Sequence, residues 1–265
     1  MTISTDENFL FPTEERSALL LGRKNIIRLR NSKVAILGLG GVGGFCAEAL
    51  CRSHVGSLLI LDKDVVSPSN LNRQIISANS NIGCSKTDLM ESRLLSINPK
   101  LNIIKKEELI SKDSDLSFLK GMDYVVDCVD SAGAKINIAC YCYQENIPLL
   151  TCTGTARKLD PSKLEFIDLY QSKNDKLCKV LRHELRKHNV SKLDILYSSE
   201  MAQGVPPSIF KGEKRLGSLI FVPATAGLML AHFVINKLTS KMSEEELLEE
   251  NKFYSNTTNK SDDIV

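Results

Sequence analysis

Residues 34–46 read VAILGLGGVGGFC, an apolar run that passes straight into G-x-G-x-x-G at Gly38, Gly40 and Gly43. The pattern predicts a buried parallel strand over Lys33–Leu37 and a helix over 42–53, with Val42, Phe45, Cys46, Ala49 and Leu50 on one face. Gly38, Gly40, Gly41 and Gly43 fall at the turn between them. Backbone without a Cβ can turn tightly there and approach a phosphate, and the following helix offers free N–H groups and partial positive charge to an anion. A second apolar run, SLLILD at 57–62, ends in Asp62, where an acid can bond a ribose hydroxyl. Together these features predict a nucleotide site. They leave open whether the nucleotide is a redox dinucleotide or ATP.

Outward from this unit the chain continues as alternating strands and helices. Helices are predicted over 14–30 (one or two, around Gly22), Lys86–Ile97 and Ala132–Gln144. Strands are predicted in LNIIKKEE, GMDYVVDCVDS and IPLLTCTGT. Such alternation gives an α/β, Rossmann-like fold with a mostly parallel sheet and helices on both faces. Past Thr155 the pattern changes to a C-terminal β/α extension: a strand in KLEFIDLY, a basic helix, a Pro/Gly-rich loop, and a closing strand and helix in SLIFVPATAGLMLAHFVINKL. That last stretch is interrupted by Pro223, Gly227 and His232 and reads as core rather than as a membrane span. The expected organisation is one domain over 1–240, with a nucleotide-binding half at 16–155 and a substrate-facing half at 156–240. Residues 241–265 read as a polar, flexible tail that starts as a helix at Ser243, where Glu246 completes a capping box.

The residues after Asp62 favour ATP. Asp62, Asp64, Asn70, Asn72, Arg73 and Gln74 follow the second strand, and ligands in open α/β sheets bind at that edge. Lys86 starts the next helix, and VVDCVDS brings Asp127 and Asp130 to the same edge. Two cations suit a triphosphate, and a carboxylate suits Mg²⁺ bridging its oxygens. Taken singly, Arg73 could be solvated, Lys86 is an ordinary first-turn residue and Asp130 could cap a helix. Their joint appearance in this order is the signal.

The stretches GLGGVG, LDKD, SNLNRQ, GCSK and DCVDS resemble the adenylating domain of the ubiquitin-activating-enzyme-like superfamily over roughly residues 16–238. Within it, INPKLNI, YCYQENIPLLTCTGTARKLDPSKLEFIDL, SSE and GSLIFVPATAGLMLAHFVINKL are most similar to the branch of tRNA threonylcarbamoyladenosine dehydratases. The resemblance implies ATP-dependent cyclisation of threonylcarbamoyladenosine in tRNA through an acyl-adenylate. It implies ATP and Mg²⁺ as cofactors, with Arg73, Lys86 and Asp130 catalytic and Asp130 holding the metal. The nucleotide would lie on Gly38, Gly40, Gly41, Gly43, Asp62, Asp64, Asn70 and Gln74. Arg16, in ERSALLLG, resembles an arginine lent to a partner subunit's ATP, which implies a homodimer. Branches that activate ubiquitin-like or sulfur-carrier proteins carry two C-x-x-C pairs for zinc, and this chain has neither, so no structural zinc is expected. An activator of that kind, a non-catalytic nucleotide-binding tRNA adaptor and a dehydrogenase remain rival readings.

The chain has 265 residues, a formal net charge of +2 and eight cysteines. With so small a net charge, contact with nucleic acid needs a local patch. The start, MTISTDENFL, is polar and unlike a signal peptide, so a cytoplasmic location with reduced thiols is expected. Residues 173–192 hold seven Lys or Arg against two acids. On a helical wheel Leu177, Val180, Leu181 and Leu185 form an apolar face, opposite Lys176, Lys179, Arg186 and Lys187, with Arg182 at one side. These five cations form either a solvated surface or a phosphate-tracking surface for tRNA. Cys178 is positioned for a thioester, but its apolar neighbours read it as a buried small hydrophobe.

Overall fold

A computed structural model of the chain describes residues 11–173, 175–204, 208–210 and 213–258. Its main sheet runs β1 (Lys33–Leu37), β2 (Ser57–Leu61), β3 (Asn102–Lys106), β4 (Tyr124–Asp127), β5 (Leu149–Cys152), β6 (Leu164–Asp168) and β7 (Asp194–Ser198) in the order β3-β2-β1-β4-β5-β7-β6. All pairs are parallel except β6 with β7. Register aligns the strand ends: Leu37 pairs Leu61 on one side and Asp127 on the other. Gly38, Asp62 and Cys128 therefore leave the sheet side by side at its carboxyl edge. The strand order reverses between β1 and β4, the switch point at which open α/β sheets bind ligands.

The helices are α1 (Glu15–Leu21), α2 (Arg23–Arg30), α3 (Gly43–Arg52), α4 (Lys86–Ile97), α5 (Ala132–Gln144), α6 (Lys176–Lys187), α7 (Phe221–Leu238) and α8 (Glu244–Thr258). Alternation along the strands feeds two cores. Val34, Ile36, Leu58 and Ile60 meet Cys46 and Leu50 of α3, Met90 and Leu94 of α4, and Leu230 and Val234 of α7. Ala35, Leu37, Leu59 and Leu61 meet Ala134, Ile138 and Cys142 of α5. Strands covered on both faces read as unbroken apolar runs. A third cluster seats Cys178, Leu181 and Leu185 of α6 against Ala139 and Ile195.

Several expectations need correction. The strand expected at the start of SLIFVPATAGLMLAHFVINKL does not form: residues 218–220 are irregular and α7 runs unbroken from Phe221 through Pro223, Gly227 and His232. Pro223 lies in the first turn, where a helix needs no N–H from it. At Gly227 a Cβ would lie 2.3 Å from the Val42 carbonyl oxygen, so glycine lets α3 and α7 touch backbone to backbone. This helix is long and apolar enough to cross a membrane by length and composition, but in this fold Val222, Leu230 and Val234 are core residues. Strand β7 was not anticipated. The Pro/Gly-rich stretch also carries a two-stranded ribbon, β8 (Ser208–Phe210) with β9 (Glu213–Arg215). Val180 is 46% exposed and does not join the apolar face of α6. Gly22, at φ +82°, divides α1 from α2. The capping box at Ser243 and Glu246 forms, and α8 packs on α2 through Arg23 Nε to Glu250 Oε2 at 3.1 Å and Lys24 to Glu246 at 3.4 Å. The side chain of Arg23 also stacks over the Phe253 ring.

Candidate active site

At the carboxyl edge lies a cavity of about 340 Å³. Gly38, Gly40, Gly41, Asp62, Asp64, Asn70, Arg73, Gln74, Lys86 and Asp130 all line it. Of the expected nucleotide and catalytic residues, Gly43 and Arg16 do not. Gly43 works from behind: a Cβ there would sit 1.8 Å from the Gly38 carbonyl oxygen, so only glycine lets α3 start against the turn. Gly38 adopts φ +94°, and a Cβ there would meet the Cys128 carbonyl oxygen at 2.9 Å. A Cβ at Gly40 would meet no atom of the protein within 4 Å. The loop is thus tight toward the protein and open toward the cavity.

Asp62 ties the loop to β2. Its Oδ2 accepts the Leu39 N–H at 2.7 Å and its Oδ1 the Asp64 N–H at 2.9 Å. Lys86 is 4% exposed in the first turn of α4, where the helix dipole disfavours a cation. Two acids compensate: its Nζ donates to Asp64 Oδ2 at 3.0 Å and lies 3.7 Å from Asp62 Oδ1. Burial pushes the Asp64 carboxyl up, but hydrogen bonds from Lys63 and Lys86 outweigh it and hold Asp64 below the usual carboxylate range.

Arg73 differs from Lys86. Its Nη1 donates to the Ser69 carbonyl at 2.7 Å and to Asn72 Oδ1 at 2.9 Å. Among the described residues it makes no ion pair, so a positive charge at the cavity wall has no protein anion. Burial weakens its hold on its proton, yet an arginine stays charged. Asn70 Oδ1 accepts the Ser67 N–H at 3.0 Å and shapes the loop that carries Arg73. The Gln74 Oε1 is buried without a partner among the described residues, an acceptor that a ligand or water donor would satisfy.

Asp130 is exposed on the turn between β4 and α5 and makes no hydrogen bond or ion pair among the described residues. Its free carboxylate is a hard oxygen donor of the kind that holds Mg²⁺ together with phosphate oxygens and water. Asp127, expected at the same edge, does not line the cavity with it. Asp127 is fully buried, with Lys135 Nζ at 3.1 Å from both its oxygens and Thr151 Oγ1 at 3.1 Å. Lys135, a lone cation in the apolar helix AGAKINIACYCYQ, was the overlooked signal that this acid is neutralised inside.

A second cavity of about 880 Å³ adjoins the first. The two share Gly41, Val42, Asp64, Asn70, Arg73, Asp130 and Thr155, and residues added by the second include Ser67, Ser69, Asn72, Ser218 and Pro223. Sequence reasoning missed Thr155 and Ser218 as wall residues. Thr155 could have been found because it follows the carboxyl end of β5. Ser218 is brought in by tertiary contacts, with its carbonyl accepting Asn72 Nδ2 at 2.9 Å and the Gly217 carbonyl accepting the Arg157 N–H at 2.8 Å.

Arg16 is exposed on α1 and lines neither cavity. Ser17 beside it meets His54 Nε2 at 3.0 Å, and His54 follows the end of α3 remote from the glycine loop. A ten-residue helix is about 15 Å long, so Arg16 is far from its own chain's loop. Around it Leu19 and Leu20 are 58% and 77% exposed.

On α6, Lys176, Lys179, Arg186 and Lys187 are exposed. Lys187 pairs with Glu184 at 2.8 Å, and Arg186 lies over the Tyr170 ring. Arg182 is half-buried and bound to the Ser172 carbonyl at 2.9 Å, so it braces its own fold. Asp175, the N-cap of α6, lies beside Gly154, which places that end of the helix next to the second cavity. Cys178 is fully buried, its Sγ donates to Thr153 Oγ1 at 3.4 Å, and burial pushes its thiol up to about 11, so it is not a nucleophile at neutral pH.

Comparison with known proteins adds four findings. The ThiF family model matches residues 14–264. The tRNA threonylcarbamoyladenosine dehydratase of Bacillus subtilis is 35% identical over 236 residues, covering 84% of this chain and 93% of the relative. The E. coli tRNA N6-threonylcarbamoyladenosine dehydratase, solved in complex with ATP, superposes with a TM-score of 0.77 at 28% identity, covering 90% of this chain and 97% of that one. By contrast, an adenylyltransferase and sulfurtransferase of Drosophila virilis matches 51% of this chain and 29% of its own length.

Proposed function

Because the chain belongs to the ThiF family, we propose that it is an ATP-dependent adenylating enzyme that cyclises threonylcarbamoyladenosine in tRNA. The observation that carries this reading is Arg73, a cation without a protein anion, on the wall between a nucleotide-sized cavity and a second, larger one. One cavity suits ATP and the other the acyl acceptor, so the α-phosphate would lie where they meet. The near full-length likeness to dehydratases of this modified base supports the choice of substrate over the half-length likeness to a sulfurtransferase.

In the proposed reaction the carboxylate of the threonyl group attacks the α-phosphorus of ATP, and the bond to pyrophosphate breaks. The ureido nitrogen then attacks the acyl carbonyl, loses its proton and expels AMP, closing a hydantoin ring. No enzyme nucleophile is needed, consistent with the inert Cys178. The amides of the glycine loop would cradle phosphate, Asp62 the ribose, and Gln74 Oε1 a donor from the nucleotide. Arg73 meets the charge that grows as pyrophosphate departs, and Lys86 would turn to it from Asp64. Asp130 would hold Mg²⁺, which when bound neutralises charge on the triphosphate.

The remoteness of Arg16 from its own loop, and the exposed leucines beside it, support a homodimer in which Arg16 completes the partner's site. The exposed cations Lys176, Lys179, Arg186 and Lys187 would track tRNA phosphates near the second cavity. Pyrophosphate exchange into ATP tests the reading. It is expected only with tRNA carrying the modified base. Exchange that instead needs a small protein with a free Gly-Gly terminus would favour the carrier-activating reading, and ATP binding without exchange would favour an adaptor.

A further inference from the structure

The Asp127–Lys135 pair lies outside the cavities and has no part in the steps above, yet it is the most deeply buried pair of charges among the described residues, with side-chain exposures of 0% and 1%. Asp127 ends β4, Lys135 stands in the first turns of α5, and the turn 128–131 that joins them carries Asp130 into both cavities. The Asp127 Oδ1 accepts the Val129 N–H at 3.0 Å, closing that turn around its own first residue. Lys135 Nζ and Thr151 Oγ1 hold the same carboxylate from below. On its other side the turn abuts the glycine loop: the Cys128 N–H donates to the Leu37 carbonyl at 2.8 Å, and the Cys128 carbonyl oxygen lies 2.9 Å from where a Cβ on Gly38 would be.

We propose that Asp127 is a positioning residue: Lys135 neutralises its carboxylate in the core, and the side-chain oxygen that accepts the Val129 N–H anchors the turn from beneath so that the Asp130 carboxylate is held toward the metal and triphosphate. A buried pair placed only for stability could be replaced by apolar side chains of similar size with little loss, because desolvation offsets most of its attraction. A pair placed for positioning could not, because the replacement removes the acceptor of the Val129 N–H. Removing the group that orients a metal-holding residue typically weakens metal affinity about 10–100-fold.

The inference rests on the reading of Asp130 as the Mg²⁺ residue, and its test uses ATP binding, not turnover on tRNA. Titration calorimetry would follow ATP affinity with and without Mg²⁺ in the full chain. In D127L/K135M the thermal midpoint should stay near wild type, while the tightening of ATP binding by Mg²⁺ falls about tenfold or more. In D127N/K135M the amide oxygen still accepts from Val129, and the tightening should be kept. Should D127L/K135M fail to fold, V129P removes the same bond from the donor side, with the pair intact, and should lose the tightening too. Wild-type tightening in D127L/K135M or in V129P would overturn the positioning role. Wild-type ATP binding indifferent to Mg²⁺ would overturn the metal reading, and the inference with it. Loss of tRNA cyclisation by every protein, with the Mg²⁺ pattern as expected, would overturn only the assigned substrate.

Discussion

Substituting Gly40 by alanine separates ligand binding from folding. The added Cβ would meet no protein atom within 4 Å, and Gly40 is not among the glycines at positive φ. At such a position Gly→Ala leaves stability unchanged or raises it by about 0.4–1 kcal/mol through the unfolded chain. The methyl instead occupies space that a phosphate needs. An amide-to-phosphate hydrogen bond brings the oxygen to about 2.9 Å from nitrogen, whereas contact with a methyl carbon requires about 3.5 Å. The phosphate must back away and give up at least one hydrogen bond to a charged group, about 1.5–3 kcal/mol. That corresponds to roughly 10- to 150-fold weaker ATP binding. Calorimetric titration with ATP, beside a thermal melt, reads both quantities. Gly40→Ala binding ATP within about twofold of wild type would refute the assignment of this loop to phosphate. Gly43→Ala supplies the contrast: with a Cβ 1.8 Å from a backbone oxygen, it should lower the melting temperature as well as binding.

Arg73→Ala should lower kcat and kcat/KM together by about 10²–10³, as expected for a contact strongest in the transition state; an unchanged kcat would remove Arg73 from the mechanism. Lys86→Ala should do the same, and mixed Arg16→Ala and Lys86→Ala dimers should regain activity in part, whereas no recovery despite verified subunit exchange would mean Arg16 does not act in trans. Cys178→Ala should keep most turnover and lose about 1 kcal/mol or less of stability, and complete inactivity of a folded protein would revive a thioester route. Changing Lys179, Arg186 and Lys187 to Glu should flatten the dependence of log affinity for tRNA on log salt by about two to three and weaken all tRNAs alike. A wild-type slope would make α6 a plain solvated face.

The nucleotide half was legible because its chemistry is local. Lys33–Leu37, Lys86–Ile97 and Ala132–Gln144 have the predicted bounds, since each is bracketed by a turn residue and carries a clear period. The edge rule then placed Asp62, Arg73, Lys86 and Asp130 in one cavity without knowledge of the strand order. Legibility failed where long-range packing decides. β7 is a short buried run inserted between β5 and β6, a place in the sheet set by long-range pairing. α7 absorbs the apolar run mistaken for a strand because Gly227 fits it against α3. Asp127 and Asp130, three residues apart, look alike in sequence. Only the sheet shows that one end of the turn faces Lys135 in the core and the other the cavity.

The central claim is tested most directly by incubating the protein with ATP, Mg²⁺ and tRNA bearing threonylcarbamoyladenosine, then measuring the masses of the released nucleosides. The modified nucleoside should lose one water, one AMP should form per molecule converted, and Arg73→Ala should slow both by about 10²–10³. Unchanged nucleosides, with ATP bound by a folded protein, would contradict it.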